Sequence, residues 1–255
     1  MNILFTICGR AGSKGFKGKN LRELNGYPLV SYTLSAIDLL KNQIDANIDI
    51  ALNTDSKELQ DMISGYPELI LVNRKKEHGT DSASKFTVIK DTLIESEKLT
   101  NQEYDMVIDL DITSPMRTVN NIKEMIDLKL ANKKYDVIFS VVHARRNPYF
   151  NMVQEKDGFV DIIIPSDYTA RQQTPTVYDM NASMYLYDPV FLKSHEAIFE
   201  GNCGYILMKD YLVLDIDSEE DYLWMSYLHE KFLTDDVEIE EVYKHIPNVL
   251  SLIND

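Results

Sequence analysis

Cysteine is scarce in this chain, which has only Cys8 and Cys203 in 255 residues. Two cysteines, one of them inside an apolar run, are too few for a disulfide framework. No apolar stretch reaches the length needed to cross a bilayer and no secretory leader is recognisable, so the expected location is the cytoplasm, without membrane contact. Positive charge is also in short supply: 26 Lys and Arg stand against 41 Asp and Glu, a formal net charge of −15. A protein that neutralises many phosphates needs a wide basic face, so no nucleic-acid partner is expected. Low-complexity tracts and internal repeats are missing as well. With 44% hydrophobic and 26% charged residues, the composition is that of an ordinary globular chain long enough to bury a large core.

The little positive charge there is gathers near the start. Asn2 to Cys8 is an apolar run of strand length, followed at once by Gly9-Arg10-Ala11-Gly12-Ser13-Lys14-Gly15-Phe16-Lys17-Gly18-Lys19-Asn20. Such a loop, leaving a buried parallel strand, lets the backbone approach a ligand while Arg10, Lys14, Lys17 and Lys19 face it. Polyphosphate fits this description, and a basic surface loop is the alternative. The Walker A pattern fails because Ser13 stands at its first glycine and Asn20 at its final Ser/Thr. The dinucleotide pattern fails because no two of these glycines are two residues apart.

Downstream, apolar strand-like runs alternate with helical periodicity, which implies a mostly parallel sheet covered by helices on both faces. Pro28 opens a helix with Val30, Leu34, Ile37 and Lys41 on one stripe; Ile48 to Asn53 and Leu69 to Val72 are strands. Asp55 or Ser56 caps the helix between them, and Asp81 is the expected cap of a helix carrying Phe86, Ile89 and Leu93. Asp105 to Asp111 is the next strand; its alternation puts Asp109 and Asp111 on one face, at the carboxyl edge where ligands bind in such sheets. Thr113, Ser114 and Arg117 follow as ligand candidates, or as a turn leading to a helix capped by Thr118.

Tyr135 to Val142 reads as a strand. Tyr149 to Gln154 and Phe159 to Ile164 then read as a hairpin turning at Asp157-Gly158, which is marginal alone and therefore expected to pair with a second copy of the chain. The alternative is a surface hairpin with Arg145 and Arg146 solvated. Near the end, in Tyr211 to Asp221, a strand puts Asp215 and Asp217 on one face, a spacing at which hard oxygen donors share Mg²⁺, while Ser218 and Asp221 form a capping box. The segment from Leu233 to Asp255 carries no motif.

Taken together, these motifs resemble the CMP-sialic acid synthetase family, the cytidylyltransferases that activate nine-carbon keto acids. The Gly-Arg-Ala-Gly-Ser-Lys-Gly loop with Lys19-Asn20 is similar to the family signature, with Gly9 in place of the usual Ala. Thr113-Ser114-Pro115-Met116-Arg117 resembles the Thr-Ser-Pro-Leu-Arg segment, with Asp111 in place of Gln. Arg171-Gln172-Gln173 and Asn181-Ala182-Ser183-Met184-Tyr185 resemble the Arg-x-Gln and Asn-Gly-Ala-x-Tyr block, and Asp215-Ile216-Asp217 the closing acidic motif.

The resemblance implies a Rossmann-like α/β fold, a single nucleotidyltransferase domain over 1–255, and a dimerisation excursion over 143–170 making a homodimer. It implies CTP held by Arg10, Gly12, Ser13, Lys14, Lys19, Asn20, Arg74, Asp81 and Asp111. It further implies a nonulosonic acid held by Thr113, Ser114, Arg171, Gln172, Asn181 and Tyr185, an arginine suiting the carboxylate by its planar fork. Mg²⁺ on Asp215 and Asp217 is implied too, with Arg10, Lys19, Asp215 and Asp217 carrying the catalysis. Arg145 and Arg146 would reach the neighbouring subunit's site. The Asp-Leu-Asp-x-Thr-Ser-Pro form of the strand motif is similar to legionaminate-type members. A Kdo-type or sugar-1-phosphate nucleotidyltransferase, or a non-catalytic nucleotide-sugar binding module, are the alternatives.

Overall fold

The computed structural model describes residues 1–12, 15–80 and 83–254. In chain order the strands and helices are β1 (Asn2–Gly9), β2 (Glu23–Leu24), β3 (Tyr27–Pro28), α1 (Leu29–Lys41), β4 (Asn47–Thr54), α2 (Lys57–Ile63), β5 (Leu69–Asn73), α3 (Lys85–Thr100) and β6 (Met106–Leu110). Then come α4 (Val119–Ala131), β7 (Val137–His143), β8 (Val153–Lys156), β9 (Phe159–Ile162), β10 (Tyr178–Tyr187), α5 (Pro189–Ser194), β11 (Cys203–Leu207), α6 (Glu219–Asp235) and α7 (Val237–Asn254).

Seven strands form one sheet in the order β11-β7-β10-β6-β1-β4-β5. All its pairings are parallel except those of β10, which runs antiparallel to both β6 and β7. Burial on both faces explains the unbroken apolar character of β1, in which Ile3, Leu4, Phe5 and Ile7 are fully enclosed. The fold is thus the Rossmann-like α/β arrangement that the alternation of elements predicts, with β1, β4 and β6 side by side and their carboxyl ends aligned.

Several boundaries follow local chemistry. Ser56 caps α2 by accepting from the Leu59 N–H, and Thr118 and Asn121 close a capping box on α4. The hairpin β8–β9 turns through Asp157 and Gly158 at φ 54° and 82°, the left-handed pair that a two-residue hairpin turn requires. It forms a sheet of its own, apart from the seven-stranded one.

Three expectations are corrected, and the end of the chain, which carries no motif, is also ordered. The residue preceding α3 is Ser84, so Asp81 is not its cap, and Asp81 lies outside the described residues, as do Ser13 and Lys14. No strand spans 211–216: Asp210–Leu212 is a single 3₁₀ turn, and the segment continues as an irregular loop tied to the sheet by the Ile216 N–H donating to the Thr113 carbonyl at 3.0 Å. The first hairpin strand begins at Val153 rather than Tyr149, because Tyr149 to Asn151 form a turn whose Phe150 and Asn151 N–H groups donate to the Asn147 carbonyl. The segment after Leu233 is a full helix, α7, which lies on α1 and buries Ile239, Val242, Ile246 and Val249.

Candidate active site

A cleft of ≈ 240 Å³ opens at the carboxyl ends of β1 and β6, lined by Arg10, Lys19 and Asn20 from the basic loop and by Asp111 and Thr113 from the loop after β6. The third wall comes from the segment between β5 and α3, which supplies Arg74, His78, Thr80 and Ala83. Six of the residues expected to hold nucleotide or sugar therefore meet in one place. Nothing local to any one segment dictates this; the parallel register of β1, β4 and β6 does.

The basic loop is held by its neighbours. Asp55 accepts from the Ala11 N–H at 2.7 Å, and the Asn20 side chain donates to the Arg10 carbonyl at 3.1 Å. Lys19 reaches the acidic loop, its Nζ 2.5 Å from Asp217 Oδ1. Gly15 is needed there: a Cβ on it would lie 2.7 Å from the Asp217 carbonyl oxygen. The basic loop and the Asp215–Asp217 segment thus pack backbone to backbone, although Asp217 comes from a loop rather than a strand.

The acidic side is crowded. Burial, together with the charges of Asp217 and Asp111, pushes the Asp215 carboxyl up to about 6. Asp111 behaves oppositely. Burial works against its charge, but the Lys85 ammonium and hydrogen bonds from the Thr113 N–H and hydroxyl outweigh it and hold the carboxyl below the usual range. Lys85 sits between Asp109 Oδ2 at 2.7 Å and Asp111 Oδ2 at 2.6 Å, and these two charges outweigh its own burial to keep it protonated. Cys8 also lines the cleft, but burial and then Asp109 push its thiol far up, so it is no nucleophile.

Lys85, His78, Thr80 and Ala83 were missed in the sequence. Lys85 left one signal: a cation in the first turn of a helix opposes the helix dipole and needs an anionic partner elsewhere.

Other expected residues are placed away from the cleft. Arg117, which the motif offers as a ligand, is completely buried. It donates to the carbonyls of Asp111 and Ser114, to Thr33 Oγ1 at 2.8 Å and to Ser183 Oγ at 3.3 Å, so it braces the corner after β6. Ser114 is enclosed beside it. Asn181 is likewise buried, its amide engaged with Ser140, the Met208 sulfur and the Leu212 carbonyl. Arg171 and Gln172 line a separate cavity with His143 and Asn147, where Arg171 donates to the Ala144 carbonyl at 3.1 Å. Tyr185 lines a further cavity next to the cleft. Arg145 pairs with Asp210 of its own chain, and Arg146 is exposed. Gly12 is exposed on the basic loop.

Comparisons with known proteins give the chain's family and fold. Post-translational flagellin modification protein B of Campylobacter coli is 34% identical over 226 residues, covering 89% of this chain and 94% of that one. CMP-N,N'-diacetyllegionaminic acid synthase of Campylobacter jejuni subsp. jejuni serotype O:2 is 33% identical over the same shares of the two chains. Among solved structures, a CMP:2-keto-3-deoxy-manno-octonic acid synthetase complexed with CTP superimposes with a TM-score of 0.65 at 14% identity, covering 91% of this chain and 99% of that one, which shows the shared fold. A model of the cytidylyltransferase family matches residues 4–228, nearly the whole chain and every element of the cleft, and the chain belongs to that family.

Proposed function

We propose that this protein transfers CMP from CTP to a nine-carbon 2-keto sugar acid of the sialic and legionaminic type, releasing pyrophosphate, for the assembly of surface glycans or glycoproteins in the cytoplasm. The observation that carries the reading is the meeting of Lys19 with Asp217 at one end of a cleft that also holds Arg10 and Asn20. Cations suited to a triphosphate thus line one small volume, and the Lys19 contact brings the Asp215–Asp217 segment, with carboxylates for its counter-ion, up beside them. The one-third identity with a CMP-N,N'-diacetyllegionaminic acid synthase favours a legionaminate-type acid.

In this reaction the anomeric hydroxyl oxygen bonds to the α-phosphorus of CTP, the bond to the β-phosphate oxygen breaks, and pyrophosphate leaves with the hydroxyl proton released. The protein positions two anions and stabilises charge that moves toward the leaving group. Arg10 and Lys19 are assigned to the phosphates, with Asn20 holding the loop backbone that carries Arg10.

The donor set suits Mg²⁺: the carboxylates of Asp215 and Asp217 are hard oxygen ligands, and the elevated Asp215 carboxyl marks a crowding of negative charge that a divalent cation relieves. Bound there, Mg²⁺ would supply charge neutralisation on the triphosphate and acidify the attacking hydroxyl.

The hairpin β8–β9 supports a homodimer, since Val153, Phe159 and Val160 are each more than half exposed on a two-stranded unit that is marginal alone. A Phe159→Glu exchange that leaves the sedimentation behaviour unchanged would remove that part of the reading.

Pyrophosphate release tests the whole. CTP with Mg²⁺ is offered against N-acetylneuraminic, legionaminic, pseudaminic and Kdo acids, and each acid is repeated with ATP, GTP and UTP. Release with CTP and one nine-carbon acid is expected; release only with Kdo moves the substrate class, and CTP binding without release from any pair favours a binding module.

A further inference from the structure

The nucleotide cleft and its neighbour share a single lining residue among the described residues. That neighbour is a cavity of ≈ 310 Å³ walled largely by Phe86, Tyr185, Tyr187, Ile198 and Phe199, with one carboxylate, Glu196, which Lys90 neutralises at 2.8 Å, and the shared residue is Lys85. It is also the sole cationic residue lining the second cavity among those described. Its side chain remains 36% exposed although its Nζ lies against both Asp109 and Asp111. An ammonium carries three N–H donors, so after these two carboxylates a donor remains for a group entering from either side.

The chemistry at such a junction is specific. In a 2-keto sugar acid the carboxylate is attached to the same carbon as the attacking hydroxyl, so wherever that hydroxyl meets the α-phosphorus the carboxylate is close by. Asp111, Asp215 and Asp217 already bring negative charge to this region. A second anion entering unaccompanied would be repelled by several charges at short range. The sequence resemblance assigns the carboxylate to Arg171, but Arg171 lines a different cavity and donates to the Ala144 carbonyl.

We propose that Lys85 binds the substrate carboxylate at the junction of the two cavities, with Asp109 and Asp111 aiming its ammonium. This rests on the reading above that the second substrate is a 2-keto sugar acid. Asp109 is rigid enough to aim it, being fully buried with its other oxygen accepting from Thr6 Oγ1 at 2.8 Å. Lys85 itself opens α3, so a fixed helix end sets where the ammonium can reach.

The test compares wild type with Lys85→Met and Lys85→Arg, using CTP and the acid that the wild type accepts, each paired with the methyl ester of that acid's carboxylate. Losing a charge-assisted hydrogen bond should raise KM for the acid about 10- to 100-fold in Lys85→Met. The wild-type preference for acid over ester should fall to near unity in that variant, whereas any loss of CTP affinity from removing the cation beside Asp111 lowers turnover of acid and ester alike. Lys85→Arg keeps a charge between Asp109 and Asp111 but moves the donors. It should therefore fold like the wild type and retain a reduced preference for the acid, which keeps the test available should Lys85→Met fail to fold. An unchanged preference for acid over ester in either variant overturns the assignment of Lys85 alone. A wild type that turns over no 2-keto acid overturns the reaction and the assignment together.

Discussion

Lys19 and Asp217 are 198 positions apart in the chain, and their side chains meet at 2.5 Å. The contact closes the ring of segments around the cleft, joining the loop after β1 to the loop before α6. It also sets each partner's duty: Asp217 holds the ammonium at the cleft, and Lys19 offsets the charge of a carboxylate that is 70% exposed. At that exposure the pair contributes little to stability, so its value is positional.

Replacing Lys19 or Asp217 should therefore spare the fold and damage turnover. For Lys19→Ala a loss on the order of 10²–10³ in kcat is expected, the range for removing one preorganised charge-stabilising group. Asp217→Asn should make activity depend steeply on added Mg²⁺ and leave the urea midpoint close to that of the wild type. Pyrophosphate release over a Mg²⁺ series, beside unfolding curves, checks both. A large fall in the midpoint for either variant would show that the contact is structural.

Gly15→Ala tests the same closure through the backbone. Its Cβ would stand 2.7 Å from the Asp217 carbonyl oxygen, so one of the two loops must move. Since Lys19 lies four residues on, the expected outcome is a rise in KM for CTP and a fall in kcat, both about tenfold or more because positioning errors near 1 Å are that damaging. Steady-state kinetics with CTP as the varied substrate decide it; kinetics like those of the wild type would mean that the loops are not packed in this way when CTP is bound.

Much of this geometry was legible from the chain. An apolar run ending in glycines and cations located β1 and the basic loop, and Thr118 and Asp157-Gly158 marked a helix start and a turn by their own chemistry. The Asp215 segment was misread because Tyr211-Leu212-Val213-Leu214 is apolar for burial against the core, and an enclosed loop has the same composition as a strand. Arg117 stood open between ligand and turn because a motif fixes a residue's identity without fixing its direction. Lys85 escaped notice because its partners lie 24 and 26 residues away and only the sheet brings them together. Helix α7 did carry a signal, the spacing of Ile239, Val242, Ile246 and Val249, but Pro247 interrupts the pattern that would normally announce a helix.

Arg117 predicts a stability effect where the motif would suggest a binding one. Its guanidinium ties together α1 at Thr33, β10 at Ser183 and the loop after β6 at Asp111 and Ser114. Burial pulls it down to about 10, against the charges of Asp111 and Asp109, so it stays protonated at neutral pH. Arg117→Met would leave several buried acceptors without donors, and a loss of about 3 kcal/mol or more is expected. Arg117→Lys keeps the charge but not the fork and should lose nearly as much. Urea unfolding measures the loss, while CTP affinity of the folded fraction should stay near that of the wild type; a stable variant with weak CTP binding would return Arg117 to the ligand.

His229 gives the fold an acid limit of its own. The ring is almost fully buried between Tyr32 of α1 and Tyr243 of α7, with the Asn25 amide 2.8 Å from Nδ1 and no hydrogen-bond partner for Nε2 among the described residues. Burial pulls it down to about 4 from an ordinary 6.5. Between those values the unfolded chain binds a proton that the folded one refuses, so stability is intact above pH 6.5 and declines as the pH falls toward 4. At about 1.4 kcal/mol for each pH unit, this single group removes about 2 kcal/mol by pH 5. His229→Gln cannot titrate. Its urea midpoint should therefore lie below that of the wild type at pH 7.5, where the neutral imidazole packs well, and should close or reverse the gap at pH 5. Parallel loss of stability in both proteins from pH 7.5 to 5 would show that the acid sensitivity comes from other groups.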